Sequence, residues 1–422
     1  MPIDAVTQVP TPAAEPGHGY PPGGPERERL ERRLDELAAE VLPLPMTVGG
    51  EPRFGGGERT DVVQPHHHAA KLGVLGRATH QDARLAVDAA LAAAAAWRAL
   101  TFDDRAAVFL RAADLLAGPW RETLTAAAML GQSMTAPQAE RDAVCELADT
   151  WRFDVQAARL LLAGQPDSAP GTWTRTDHRP LDGFVYALGP FSSTAVAAAL
   201  ATGPALMGNT VVWKPATAQT YTAHFVLRLL AEAGLPPGVV NLVTGDGRVL
   251  SEVALASPAL AGVHLAGTAA TLRELWAAVG AAVGGHRRIP RIAGRTGGKD
   301  FLVAHPSADP ETVAAALVRG AFAYQGQGAP ALSRAYLPRA LWQRIGPAFL
   351  AGVDELAVGD VADPTNAMGA LIDAAAYARV RSAVERGGGR ARPRRAARRA
   401  PPAPPPPHVG RHPQPRPGIH RA

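Results

Sequence analysis

Few residues in this chain combine type and spacing in a way that suits chemistry, and each has a plain alternative. Lys214 ends the apolar run Thr210-Val211-Val212-Trp213 and precedes Pro215, which puts a flexible cationic donor at a strand end. The run Gly294-Arg295-Thr296-Gly297-Gly298-Lys299 has the outline of a phosphate loop. It has three residues rather than four between its outer glycines, and Asp300 stands where Ser or Thr would hold magnesium, so that assignment is rejected. No Gly-x-Gly-x-x-Gly follows a strand, so the usual dinucleotide fingerprint is absent. Pro65-His66-His67-His68 reads as a solvated loop after a strand rather than as ligands, and no metal site is expected. Cys145, beside Val144 and near Leu147, reads as a buried inert thiol.

These residues need a scaffold, and the periodicity supplies one. Leu30, Leu34 and Leu37 form one stripe of a helix over 26–41. Short strands are predicted at 46–48, 59–64 and 71–77. Helices are predicted at 80–97, 102–117, 121–130 and 137–162, with Asp103-Asp104 and Pro137 as start signals. From Gly183 onward, strands of four to six residues alternate with longer helices: 184–188, 195–207, 210–213, 221–233, 239–243, 247–256, 262–265 and 268–283. That alternation predicts an α/β fold with a parallel sheet. Ligands in such sheets bind beyond the carboxyl ends of the strands. Those ends are Gly189-Pro190, Lys214-Pro215, Gly245-Asp246-Gly247 and Ala266-Gly267-Thr268. Each opens a helix whose first N–H groups suit an anion. A second α/β stretch starts near Ile292, with strands at 301–304 and 335–338 and helices at 310–324, 340–350 and 374–386.

The chain has 422 residues, enough for two or three domains at about 150 each. Its 47% apolar content supports a sizeable core. No run of clean apolar residues is long enough to span a bilayer. The Pro/Gly-rich residues 1–25 have no apolar stretch typical of a secretory signal and read as a disordered leader. A single cysteine excludes an intrachain disulfide framework, so a reducing, cytoplasmic setting is the default. The net charge of +5 is uneven. Nine arginines and no acid lie in 390–422, leaving −4 for the rest, so composition gives no case for nucleic-acid or membrane binding. In that tail 27 of 33 residues are Ala, Arg, Pro or Gly, which suits either a linker or out-of-frame translation of GC-rich DNA beyond about residue 388.

Longer runs carry a resemblance. Gly183-Phe184-Val185, Gly189-Pro190-Phe191 and the continuous run from Gly203-Pro204 through Met207-Gly208-Asn209-Thr210 to Lys214-Pro215 resemble the aldehyde dehydrogenase superfamily. Ala233-Gly234-Leu235-Pro236-Pro237-Gly238, the stretches 322–327 and 334–338, and Trp151-Arg152-Phe153 resemble its pyrroline-5-carboxylate dehydrogenase branch. The likeness covers about 27–387. It implies an aldehyde dehydrogenase-like fold: a parallel-sheet NAD-binding domain (26–162 and 181–294), a bridging arm (163–180), an incomplete catalytic α/β domain (295–387) and a disordered tail (388–422). It also implies NAD-dependent oxidation of glutamate γ-semialdehyde, a small-molecule aldehyde, to glutamate in proline breakdown, by a protein that oligomerises. By position, Lys214 would hold the adenine ribose and Gly245 would allow the adenosine to approach. Gly267 and Thr268 would receive the pyrophosphate, and the backbone of Pro190 and Phe191 would line the nicotinamide end.

The chain departs from that pattern at the reacting positions. The family's Gly-Gln-Lys-Cys-Ser-Ala is Gly326-Gln327-Gly328-Ala329-Pro330-Ala331, so Ala329 replaces the nucleophilic thiol. Arg295 replaces the general-base Glu and cannot accept a proton. Ser192 replaces the oxyanion Asn. The family's Glu-Glu-Ile-Phe-Gly-Pro segment does not follow Glu385, and a catalytic sheet without its later strands would expose an apolar edge. The expected present function is a degenerate member of the branch. A non-catalytic nucleotide- or partner-binding module and a gene-decay product remain as alternatives.

Overall fold

The computed structural model describes residues 11–386. Helix α1 (Pro25–Ala39) is followed by five strands: β1 (Leu42–Leu44), β2 (Met46–Val48), β3 (Glu51–Arg53), β4 (Arg59–Gln64) and β5 (His67–Gly76). Three helices come next, α2 (His80–Ala99), α3 (Phe102–Ala117) and α4 (Arg121–Gln132). A single turn, α5 (Ala136–Ala139), runs through a π-helical turn (Glu140–Glu146) into α6 (Leu147–Ala163). The α/β alternation is β6 (Phe184–Leu188), α7 (Thr194–Leu206), β7 (Thr210–Lys214), α8 (Thr220–Glu232), β8 (Val240–Leu242), α9 (Gly247–Ala256), β9 (Leu260–Gly267), α10 (Ala269–Ala282) and β10 (Arg291–Thr296). The remainder is β11 (Asp300–Val303), α11 (Pro310–Phe322), β12 (Leu332–Tyr336), α12 (Arg339–Asp354) and α13 (Ala374–Arg386).

The main sheet has the order β10-β9-β6-β7-β8-β2-β3. Its first five strands are parallel, and β2 and β3 add antiparallel pairs at one edge. All residues of β6 are buried, as expected of a parallel strand covered on both faces. Alternation then divides the strand. Val185 and Ala187 join Val211 and Trp213 in the core with α3, α4, α6, α7 and α8. Phe184, Tyr186 and Leu188 join Val212 in the opposite core with α2, α9 and α10. Thr79 caps α2 reciprocally with Asp82, which fixes the turn out of β5. A separate sheet has the order β1-β5-β4.

Four expectations change. First, the disordered leader is corrected for residues 11–24. Tyr20 is buried and donates its hydroxyl to Glu140 at 2.6 Å, and Glu15 receives Arg121 and Arg152 at 2.7 Å each. Composition hid this because two residues with polar groups, Tyr20 and Glu15, tie the segment down through long-range hydrogen bonds. Residues 1–10 lie outside the described residues, as does the tail expected at 388–422. Second, the single helix expected at 137–162 is broken by the π turn, which aims Glu140 at the leader and Asp142 the opposite way. Third, β10 pairs with β9 through Thr296, so Arg295 lies inside the main sheet and the boundary expected at 294/295 cuts a strand. Fourth, β1 and β3 are absent from the sequence reading because each carries a proline at its centre, Pro43 and Pro52, which argues against a strand.

Residues 164–180 carry no helix or strand and are almost wholly exposed. Beyond β10, strands β11 and β12 form a two-stranded parallel ribbon over a small core of Val313, Leu317, Leu341 and Ile345. Phe301, Val303 and Tyr336 on the ribbon are at least half exposed. Contacts separate a large unit, Met1–Val380, from Arg381–Ala422. Of the second unit only the helical end Arg381 to Arg386 is described, and it carries an Arg381–Glu385 ion pair. Among the described residues, no single helix is long and apolar enough to cross a membrane.

Candidate functional site

One cavity of about 1190 Å³ opens at the carboxyl ends of β6, β7, β9 and β10. It gathers eight of the nine residues singled out by sequence: Pro190, Phe191, Ser192, Lys214, Gly267, Thr268, Arg295 and Ala329. Gly245 is the exception. Its φ is +107°, and an added Cβ would stand 2.9 Å from the backbone of Arg77 and Ala78. This glycine allows close packing against the start of α2 and does not open the cavity. Gly247, two residues on, does line the cavity, and a Cβ there would lie 3.6 Å from Lys214 Nζ.

Lys214 is held by the end of β7. Burial pushes its ammonium below the usual lysine range, while the Asp246 carboxylate pulls the other way. Asp246 caps α9 by accepting from Arg248 N at 2.8 Å. Thr268 caps α10 by accepting from Thr271 N at 3.1 Å, and Gly267, Thr268 and Thr271 all face the cavity. The first turn of α10 therefore presents its dipole end to the opening.

The wall after β6 is built differently. Ser193 caps α7 and donates to Asp142 Oδ1 at 2.5 Å, while Thr194 N donates to Asp142 Oδ2 at 2.6 Å. Burial raises the Asp142 carboxyl to about 6 against the pull of those two bonds. Phe191 O accepts from Gln132 Nε2 at 2.8 Å. The facing wall is the segment 323–330. Tyr324 and Gln325 turn it with φ of 51° and 56°, which brings Gln327, Gly328, Ala329 and Pro330 into the cavity. Ile372 N donates to Gln327 Oε1 at 2.9 Å.

At the positions that the sequence resemblance links to the reaction, neither a nucleophile nor a carboxylate is present. Ala329 presents a methyl group, and Pro330 has no N–H to offer. Arg295 is exposed at the cavity wall, and its guanidinium has no ion-pair or hydrogen-bond partner among the described residues. Cys145 lies away from the cavity. Burial, with Glu140 adding to it, pushes its thiol up to about 11. Ser333 donates to Asp300 O at 2.9 Å. His66 is buried against Ser133 Oγ at 3.1 Å, while His67 and His68 are exposed. Among the described residues, no group of three or more His, Cys, Asp or Glu is placed to hold a metal ion.

Sequence reasoning missed Asp142, Gln138, Ser251 and Glu252 as cavity residues. Asp142 and Glu252 stand in helices that read as ordinary amphipathic surface. The π turn brings Asp142 to the cavity, while Glu252 borders it from α9 and stays exposed.

The profile of the aldehyde dehydrogenase family matches residues 54–392. The chain belongs to that family. Within it, the delta-1-pyrroline-5-carboxylate dehydrogenase of Agaricus bisporus is 40% identical over 380 residues, covering 88% of this chain and 68% of the relative. The mitochondrial delta-1-pyrroline-5-carboxylate dehydrogenase of Homo sapiens is 38% identical over 377 residues, covering 88% and 66%. The chain thus spans about two thirds of the length of these relatives. Among solved structures, the Delta-pyrroline-5-carboxylate dehydrogenase of Mycobacterium tuberculosis bound with NAD is 57% identical with a TM-score of 0.89, covering 91% of this chain and 72% of that one. A Thermus 1-pyrroline-5-carboxylate dehydrogenase with bound NAD is 25% identical with a TM-score of 0.82, covering 90% and 73%. The aldehyde dehydrogenase-like α/β fold expected from the sequence is the one found.

Proposed function

We propose that this chain is a pyrroline-5-carboxylate dehydrogenase-like protein that binds NAD in the cavity at the strand ends and does not carry out the family's oxidation. The observation that carries the proposal is that one cavity holds both Lys214 with the α10 N-terminus and Ala329 and Arg295, which offer neither a nucleophile nor a base. Domain assignments follow: 26–162 with 181–296 for the nucleotide, 163–180 as an arm and 297–386 for the substrate side.

The residues fit the cofactor. Lys214 Nζ would donate to the adenine ribose, with Gly247 leaving room beside it. Gly267 and Thr268, at the start of α10, would receive the pyrophosphate. The backbone of Pro190 and Phe191 would line the nicotinamide end. NAD supplies a hydride acceptor when bound. The chain would have to supply the rest, and it does not. A methyl group at Ala329 cannot add to the carbonyl of glutamate γ-semialdehyde, which removes the covalent route itself. Arg295 cannot take a proton from water, a loss of about 10² to 10⁴ in rate. Ser192 is shorter than the amide it replaces, and losing one oxyanion donor costs about 10² to 10³.

Calorimetry with NAD⁺ and absorbance assay of NADH formation with pyrroline-5-carboxylate test both halves. Saturable NAD⁺ binding without turnover is expected. No heat at millimolar NAD⁺ ends the nucleotide half. Turnover that disappears when a residue of this chain is substituted ends the catalytic half.

A further inference from the structure

Gln132 is the last residue of α4 and is fully buried, yet it does not line the cavity. Both polar atoms of its side chain are engaged. Nε2 donates to Phe191 O at 2.8 Å, and Oε1 accepts from Thr194 Oγ1 at 2.9 Å and Thr222 Oγ1 at 3.0 Å. Because Phe191 O can only accept, the amide orientation follows from the bonding. Its backbone carbonyl accepts from Tyr324 OH at 2.8 Å. Ser133, next in sequence, is left-handed at φ 57° and equally buried. Its carbonyl accepts from Gln325 Nε2 at 3.4 Å, and its Oγ accepts from Ala370 N at 2.8 Å.

Two facts give this junction its meaning. The carbonyls that end a helix have no partner within it, so those of Gln132 and Ser133 are free to receive Tyr324 and Gln325. Those two residues are the non-glycine, left-handed residues of the turn that brings Ala329 into the cavity. A turn of that kind persists only where its surroundings hold it. The two walls of the reacting end, residues 190–194 and 323–329, therefore share one anchor.

We propose that Gln132 is a positioning residue that locks those two walls into a single unit and so shapes the nicotinamide end of the cavity, leaving the adenosine end to Lys214 and α9. This extends the NAD-binding reading above to the ligand's two halves. It predicts unequal effects on NAD⁺ and on ADP-ribose, which has no nicotinamide.

The test uses the full chain with Gln132→Leu and Tyr324→Phe. The second variant removes one hydroxyl, so it carries the test if the first fails to fold. By calorimetry, each variant weakens NAD⁺ binding about five- to tenfold and changes ADP-ribose binding less than about twofold. Parallel losses for both ligands, or no loss for either, overturn the proposal. Hydrogen exchange without ligand decides independently. Either substitution should speed exchange about tenfold or more in both 190–194 and 323–329. Acceleration on one wall alone overturns the proposal. If the parent chain binds neither ligand, the NAD reading falls while the exchange result still settles the coupling.

Discussion

Replacing Glu140 by Leu should release the N-terminal segment and cost the fold about 3 kcal/mol. Glu140 and Arg121 have side chains only 3% and 4% exposed. The carboxylate receives Tyr20 OH at 2.6 Å, His18 N at 2.9 Å, Arg121 Nη2 at 2.6 Å and Nε at 2.9 Å, and Thr125 Oγ1 at 3.2 Å. Burial alone would raise this carboxyl, but those bonds outweigh it and hold it below the usual carboxylate range. Removing one partner of a buried pair costs about 3–5 kcal/mol, because the other charge stays buried. Arg121 keeps Glu15 at 2.7 Å, which places the loss at the lower end. Urea unfolding gives the stability difference. Limited proteolysis within 11–24 reports release of the segment. A loss below about 1 kcal/mol with unchanged protease protection would refute the idea that this network secures the leader.

Two other outcomes follow from single residues. Burial, then the nearby Arg228, lowers the His224 imidazole to about 4. The unfolded chain therefore takes up this proton first, and stability falls as pH drops from about 6.5 toward 4, by up to about 3 kcal/mol. Thermal melts across that range should show a shallower acid loss for His224→Gln; parallel curves would contradict it. Gly245→Ala forces a Cβ into the left-handed region 2.9 Å from Ala78 N and should cost about 2–3 kcal/mol in urea unfolding. A neutral result would mean the turn before α9 shifts freely.

How much of this was legible depended on the range of the interaction. The alternation after Gly183 is local and period-driven, and β6, α9 and α13 end where the pattern places them. The strand-end residues fell into one cavity because a parallel sheet aligns its carboxyl ends regardless of sequence separation. Gly245 does not line that cavity, and in sequence a glycine needed for a tight turn looks like one needed for a ligand. The leader and the π turn were missed for one shared reason. Tyr20, Glu15, Arg121 and Glu140 are up to 125 positions apart in the chain, and no window of neighbours reveals that they meet. Gln132 was invisible as well, since a buried amide ending a helix has no pattern until the loops it serves are placed.

The ribbon of β11 and β12 has a consequence for how this protein ages. Two strands are a marginal unit in water, and this ribbon, over a small core, also bears Phe301, Val303 and Tyr336 on its surface. Brief openings of this ribbon would present sticky strand edges while the seven-stranded sheet stays shut. Survival in solution should then depend on how crowded the sample is: dilute stocks keep, concentrated ones cloud, and the clock is set by encounters between molecules rather than by the melting of any one of them.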